Sequence, residues 1–144
     1  MATLKQEEIV EIIKKYDLKV TEHRLAILTR VAKSKTPIAA HKLIEDLKKH
    51  IDIDQATVYR NLVTLEESGV IRRYDYNHGH AHYELSDQHE PKHQIVCSNC
   101  ETIENIANNV TLDEALKKML RKSKKFKNIN QETVQIYGLC KICG

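Results

Sequence analysis

Apolar side chains recur at the three- and four-residue spacing of a helix through the first half of the chain. This spacing predicts four helices, over residues 4–16, 24–33, 39–50 and from about 55 to 68. Thr21 and Asp54 are the predicted N-caps of the second and fourth helices, because their side-chain oxygens can accept a hydrogen bond from the first turn. Gly69 is the predicted end of the fourth helix.

After residue 70 the apolar pattern becomes irregular and then alternating. It predicts strands over residues 70–76 and 80–85, joined by a turn at Asn77-His78-Gly79. Helices followed by such a hairpin are typical of a winged helix-turn-helix. Beyond a polar connector, short strands are predicted over residues 94–96, 102–106 and 132–137, with a helix over residues 112–125. The predicted class is α+β: a winged helix-turn-helix domain over residues 1–86, then a small α/β domain over residues 87–144.

Composition narrows the class of protein. The 144 residues are 41% hydrophobic and 30% charged, which is enough to form a core in water. We expect a cytoplasmic protein with no membrane partner, since no apolar run approaches the roughly 18 residues of a membrane span and no signal peptide is evident. A net charge of +3 is too small to indicate nucleic acid by itself. One Phe and no Trp argue against a stacking platform for single strands.

All four cysteines fall into two C-x-x-C pairs, Cys97 with Cys100 and Cys140 with Cys143. Two residues between thiolates allow both sulfurs to reach one ion, and two such pairs complete a closed tetrahedral site. Disulfides or a redox dithiol are the alternatives, but they fit poorly without a secretion signal or a βαβ context. We predict a structural Zn(II) ion, with no open position for a substrate.

A second metal site is predicted where histidines are dense. His80, His82 and Glu84 stand at alternate positions of a predicted strand and should project to one face, with His78 at the turn before them. His89 and His93 follow on the connector. A solvated polar strand is the alternative, which would be preferred for any single histidine. The set offers nitrogen and oxygen ligands for Zn(II), Fe(II), Mn(II) or Ni(II), and without a cysteine it should be exchangeable.

The helix that begins after Asp54 fits a recognition helix because it directly precedes the predicted wing. Ala56 and Val58 can face the core. Four side chains lie toward the other side, near the end where such helices meet bases and phosphates: Gln55, Thr57, Tyr59 and Arg60. Arg60 suits phosphate or guanine, and Tyr59 could pack on a thymine methyl.

The chain resembles the ferric uptake regulator (Fur) superfamily of metal-dependent transcriptional regulators over nearly its whole length. The resemblance is carried by residues 18–21, 23–28, 56–62, 68–71, 83–85 and 137–140, together with both C-x-x-C pairs. It implies a C-terminal dimerisation domain and a homodimer that binds palindromic double-stranded operators when its regulatory metal is bound. It also implies DNA contacts by Tyr59 and Arg60, and a minor-groove contact by Lys19.

The chain departs from the family pattern at several ligand positions. Thr36 stands where the family often places a histidine from the DNA-binding domain, and His41 is the nearest substitute. Asn105 stands where a carboxylate is common, with Glu104 beside it as a candidate ligand. These departures argue against peroxide sensing. The expected ion is Fe(II) or Zn(II), with Ni(II) or Mn(II) as alternatives.

The resulting hypothesis is a repressor of metal homeostasis genes in which the metal fixes the hinge between the two domains. It is not expected to be an enzyme or to take a small organic substrate, because neither an H-E-x-x-H nor a deaminase motif is present. The alternatives are a peroxide-sensing regulator of the same family, a metal-storage protein that does not bind DNA, and a first domain that mediates protein contacts only.

Overall fold

The computed structural model of this chain describes residues 4–86, 93–107, 109–128 and 133–144. The chain divides into two compact units, residues 1–88 and 89–144. Both contain helix and strand within these described ranges, which confirms the predicted α+β class. The predicted boundary between residues 86 and 87 lies next to this division, while the DNA-binding and dimerisation roles of the two domains stay predictions.

The first unit consists of helices followed by a β-hairpin. Its elements are α1 (Gln6–Lys15), α2 (Glu22–Lys33), β1 (Ile38–Ala39), α3 (Ala40–Lys48), α4 (Gln55–Ser68), β2 (Ile71–Asp75) and β3 (Ala81–Leu85). The hairpin strands β2 and β3 pair antiparallel, and β3 also pairs antiparallel with the two-residue β1. The sheet order is therefore β1-β3-β2. The four predicted helices and the hairpin are confirmed, whereas β1 was not predicted.

Local sequence signals set the ends of the helices. The Thr21 hydroxyl accepts a hydrogen bond from the Arg24 backbone N–H at 3.2 Å, and the Asp54 carboxylate accepts one from Thr57 N–H at 2.7 Å. Both predicted N-caps are confirmed. Gly69 ends α4 in the left-handed region at φ 88°, a conformation that costs glycine little.

One continuous core holds the first unit together. Every helix of this unit contributes: α1 through Ile9 and Ile13, α2 through Ile27 and Leu28, α3 through Leu43, Ile44 and Leu47, and α4 through Val58, Leu62 and Leu65. The hairpin closes it with Ile71, Tyr83 and Leu85. Burial of these side chains on every element fixes α4 and the β-hairpin in one body.

The second unit is a three-stranded sheet with one helix. Its described elements are β4 (His93–Cys97), β5 (Ile103–Ile106), α5 (Val110–Lys122) and β6 (Gln135–Gly138). The central strand β4 pairs antiparallel with β5 and parallel with β6. No residue of α5 is buried. Among the described residues, none of the helices combines the length and the apolar character that a membrane span requires.

Candidate metal centres and nucleic-acid interface

The parallel pairing of β4 with β6 brings the two C-x-x-C pairs together. Cys97 is in register with Gly138, so both strands end at the same edge of the sheet. The chain bends directly after β4 and turns two residues after β6, and the Ser98 N–H donates to the Gly138 carbonyl at 2.7 Å between the two strand ends. The sequence gap between the pairs is therefore bridged by β5, α5 and β6.

The four cysteine sulfurs lie within 4.8 Å of one another, and all four cysteines are free thiols. The Sγ atoms of Cys100 and Cys140 are 3.8 Å apart, as sulfurs are on a tetrahedral zinc ion with bonds of about 2.3 Å. The backbone N–H groups of Cys100 and Cys140 each point at the Cys97 sulfur from 3.4 Å. The arrangement fits a closed four-sulfur zinc site, and the disulfide alternative is not formed.

Backbone donors prepare two of these sulfurs to act as thiolates. Hydrogen bonds from the N–H groups of Cys100, Cys140 and Asn99 lower the pKa of Cys97 to about 6. N–H groups at Cys143 and Ile142 lower the pKa of Cys140 in the same way. Asn99 lowers the pKa of Cys143, but the neighbouring cysteine side chains outweigh it and raise that pKa to about 11. A cation in the site removes this conflict, since it favours the thiolate form of every ligand.

The histidine group lies in the first unit, at the tip of the hairpin and along β3. His78, His80 and His82 each offer a ring nitrogen within 4.8 Å of those of the other two. The His80 and His82 ring centroids are 5.0 Å apart, and the side chains share one side of the strand, as alternation predicts. His82 is almost fully buried at 1% exposure and packs edge-on against Tyr76.

The other predicted ligands of this site are not part of that group. Glu84 is buried and accepts a 2.6 Å hydrogen bond from the Tyr74 hydroxyl. Burial, and next this bond to the carboxylate, raise the pKa of Tyr74 above its ordinary value. His93 belongs to the second unit, where its Nδ1 accepts from the Val134 N–H at 3.1 Å and its Nε2 lies 3.4 Å from Asp113. Glu104 is exposed on β5, and His89 lies outside the described residues.

The structure places one further histidine beside the group. His41, the second residue of α3, is exposed, and its ring meets the His80 ring edge-to-face with centroids 4.8 Å apart. The resemblance indicated His41 as the nearest substitute for a histidine ligand of the first domain, and the pairing of β1 with β3, which was not predicted, brings it beside His80.

Helix α4, the predicted recognition helix, exposes most of the side chains that were predicted to meet DNA. Gln55, Tyr59 and Arg60 are exposed, and Tyr59 has 40% of its surface free. Thr57 is half-buried, and its hydroxyl accepts from Arg60 Nη2 at 3.2 Å, which steadies the guanidinium near the start of the helix. Lys19 is exposed in the segment between α1 and α2.

One orientation on this helix was predicted wrongly. Ala56 was expected to face the core together with Val58, but it is exposed while Val58 is fully buried. The reason is geometric: two residues advance about 200° around a helix, so positions 56 and 58 stand nearly opposite. The core stripe of α4 instead runs through Val58, Leu62 and Leu65, which are spaced four and three residues apart.

Comparison with known proteins agrees with this arrangement. The model of the ferric uptake regulator family matches residues 15–137. The ferric uptake regulation protein of Legionella pneumophila is 30% identical over 135 residues, covering 91% of this chain and 95% of that protein. That of Haemophilus ducreyi is 37% identical over 99 residues, covering 65% of each. The ferric uptake regulator of Francisella tularensis, solved with iron, superposes with a TM-score of 0.74 at 31% identity, covering 88% of this chain and 94% of that one.

The fold and the two candidate metal sites therefore belong to a metalloregulator. This chain is a member of the ferric uptake regulator family.

Proposed function

We propose that this protein is a metal-responsive transcriptional repressor that binds double-stranded operator DNA as a homodimer. A structural Zn(II) ion at Cys97, Cys100, Cys140 and Cys143 holds the second unit, and a regulatory divalent ion at His78, His80 and His82 controls DNA affinity. Its target genes are those of metal homeostasis, iron or zinc first. The observation that carries the proposal is that one body holds both the exposed face of α4 and the histidine group.

The surface of α4 supports DNA as the partner. Asp54 caps the helix from the exposed side, and Gln55, Tyr59 and Arg60 are exposed within the first two turns. In helix-turn-helix proteins these turns enter the major groove, where Arg and Gln read base edges and phosphates. The predicted contacts of Thr57 and of Lys19 complete the surface, the latter as a minor-groove contact.

The second unit supports a second copy of the chain as partner. It exposes eight large apolar side chains in its described part: Ile95, Val110, Met119, Phe126, Ile136, Tyr137, Leu139 and Ile142. The first unit exposes only Tyr59 and Val63 among its described residues. A helix with no buried residue and an apolar sheet face gain stability by packing against another chain, and homodimers are the most frequent closed assembly.

The test is a DNA-binding titration on full-length protein whose structural zinc is retained. Duplexes are selected from a random pool with metal-loaded and with mildly chelated protein, and their affinity is then measured by fluorescence anisotropy in both states. We expect at least tenfold tighter binding with the regulatory ion, an allosteric coupling of about 1.4 kcal/mol. Equal affinity in the two states contradicts metal regulation.

Two substitutions separate the DNA surface from the metal site. Arg60→Ala should lose most of the DNA affinity and keep both metals, because it removes a charge from the reading face and leaves the core intact. Val63→Ala lies on an exposed position of the same helix and serves as the matched control. Unchanged DNA binding by Arg60→Ala would place the interface elsewhere.

A further inference from the structure

The positive charge of this chain is concentrated in the second unit. Residues 1–88 contain 14 basic and 14 acidic side chains, so the first unit carries no net charge with its histidines neutral. Seven basic residues stand between residues 117 and 127, and neither Asp nor Glu occurs from residue 115 to residue 131. The densest positive charge therefore lies outside the unit that holds α4.

Helix α5 separates its apolar and basic side chains onto opposite sides. Leu112, Leu116 and Leu120 are half-buried and follow one another at four-residue spacing. At about 100° of turn per residue, four exposed cations spread over an arc of about 140° on the other side: Lys117, Lys118, Arg121 and Lys122. Cations stabilise the last turn of a helix, which accounts for Arg121 and Lys122 but not for the other two.

Three more lysines continue this charge beyond the helix. The Ser123 hydroxyl accepts hydrogen bonds from the Phe126 N–H at 3.0 Å and from the Lys125 N–H at 3.3 Å, so the chain bends at the end of α5. The three lysines are exposed: Lys124, Lys125 and Lys127. Together with the four cations of α5 they form what we call the basic surface.

The cations of the basic surface lack the carboxylate partners that cations of the first unit have. Arg30 and Lys42 contact the Asp46 carboxylate at 2.7 and 3.2 Å. Within the part of the chain that the structure describes, no side chain of the basic surface forms an ion pair, although Glu114 lies one turn before Lys118. Like charges three and four residues apart on a helix repel one another. A bound polyanion relieves this repulsion.

We propose that the basic surface binds the phosphate backbone of double-stranded DNA without regard to its sequence. The second unit then has a DNA contact of its own. This inference goes beyond the proposed function, in which α4 of the first unit reads the operator, and only the choice of DNA over an acidic protein rests on that function.

The composition of the basic surface favours phosphates over bases. Six of its seven cations are lysines, which act as flexible point charges, whereas base edges are commonly read by the paired donors of Arg, Asn or Gln. Contacts to phosphates carry no sequence information, but they supply nearly all of the affinity for nonspecific DNA. Phe126 is the one aromatic residue from 115 to 131, which argues against a stacked single strand.

The apolar side chains of α5 argue against a membrane as the partner. A helix that binds at a lipid surface inserts an apolar face among the lipids. The three leucines of α5 are already half-buried within the second unit. Met119 and Phe126 are the large apolar side chains that stay exposed near the basic surface, and two side chains offer little area for insertion.

The test measures nonspecific duplex binding by full-length protein with its structural zinc retained. A labelled random-sequence duplex of about 30 base pairs is titrated by fluorescence anisotropy at roughly 50 to 200 mM salt. Lys118→Gln, Arg121→Gln and Lys122→Gln in one protein should weaken binding at least about tenfold at the lowest salt. The slope of log affinity against log salt should fall by about two to three, because each phosphate contact contributes about 0.9. Unchanged affinity and slope overturn the proposal.

The matched control removes the same charge from three lysines of the first unit that pair with carboxylates. Lys14→Gln, Lys42→Gln and Lys49→Gln in one protein should weaken duplex binding by less than about threefold. Equal losses in the two triple variants would show an effect of net charge alone and would overturn the proposal.

A charge-conserving variant distinguishes a lost contact from a damaged fold. Lys118→Arg, Arg121→Lys and Lys122→Arg keep every charge and should bind the duplex within about threefold of the unsubstituted protein, because a backbone contact needs charge rather than one particular side chain. A loss as large as that of the glutamine variant contradicts a contact to the phosphate backbone.

Two other polyanions test the choice of partner. Vesicles that contain phosphatidylserine, and poly-glutamate, are offered at the same salt and the same concentration of negative charge. We expect the duplex to bind most tightly. Tighter binding to the vesicles or to poly-glutamate, lost in the glutamine variant, would make a membrane or an acidic protein the partner and would overturn the proposal.

The outcomes also separate this inference from the proposed function. If the glutamine variant binds the random duplex normally while wild-type binding to a selected operator still requires metal, the basic surface is wrong and the regulator stands. If the variant loses that affinity while wild-type operator binding ignores metal, the basic surface stands and the regulatory role is wrong.

Discussion

The two units of this chain differ in where their apolar side chains go. In the first unit all four described helices and the hairpin bury theirs in one core. In the second, Val96 and Cys97 are the buried apolar side chains of the described residues, and α5 buries none. A small unit with so little core needs another source of stability. The difference suggests that the first unit is held by its own packing, and the second by zinc and a partner chain.

Removal of the zinc site should have the largest effect, and this effect should be confined to the second unit. Cys97→Ser takes away the most buried sulfur, which also receives two backbone N–H groups. Because structural zinc supplies folding free energy directly, we expect this variant to lose its zinc and the amide protection of residues 93–144. The first unit should keep its protection. Metal analysis with hydrogen exchange measures both.

Ser98→Ala, in the same turn, is the matched control and should retain zinc. A zinc-free Cys97→Ser protein with an intact second unit would show that packing alone holds it.

A cavity in the first core should have the next largest effect. Leu62 has 1% of its surface exposed, and its truncation to Ala should lower the free energy of unfolding by about 2–5 kcal/mol. Val63, the next residue on the same helix, is 52% exposed. Val63→Ala should therefore change the free energy of unfolding by less than about 0.5 kcal/mol. Urea unfolding followed by circular dichroism measures both. Similar changes in the free energy of unfolding for the two variants would show that the first unit has no tightly packed core around Leu62.

A charge on the apolar surface of the second unit should weaken the dimer. Met119 is 67% exposed on α5, and Met119→Glu should raise the dimer dissociation constant at least tenfold, about 1.4 kcal/mol. Val63→Glu makes the same change at an exposed apolar position of the first unit and should leave the dimer intact. Analytical ultracentrifugation decides between them. A dimer that survives Met119→Glu moves the interface away from this face of α5.

The helix caps give the smallest and most local comparison. Thr21→Ala removes the side-chain acceptor for Arg24 N–H and should cost the first unit about 1 kcal/mol in urea unfolding. Asn109 caps α5 through the N–H groups of Thr111 and Leu112, but that helix packs on no core. Asn109→Ala should therefore change exchange protection in α5 alone. An equal global effect of both variants would mean that the two units unfold together.

Sequence patterns predicted the parts of this structure that rest on local rules. The caps Thr21 and Asp54 and the end of α4 at Gly69 follow from hydrogen bonding and backbone freedom within one turn. The convergence of the two cysteine pairs was predicted because the C-x-x-C spacing suits one shared ion. In the structure all four sulfurs lie within 4.8 Å of one another.

Local rules could not predict strand pairing between distant segments, or which hydrogen bonds the polar side chains would form. Strand β1 has two residues, too few for an alternating pattern, yet its register with β3 carries His41 to His80. Glu84 has the right position on the strand for a ligand, and its carboxylate accepts a hydrogen bond from the Tyr74 hydroxyl on the neighbouring strand, which the alternating pattern does not predict. His93 has the right residue type, and the backbone of Val134 accounts for one of its nitrogens.

Hydrogen exchange in three metal states tests the difference between the units most directly. The full-length protein is compared with both metals, with the structural zinc alone, and with neither. We predict that loss of the regulatory ion lowers protection at the hairpin of residues 71–85, and that subsequent loss of zinc opens residues 93–144 only. Zinc removal that unfolds the first unit, or a regulatory ion whose loss is felt only in the second unit, would contradict the account.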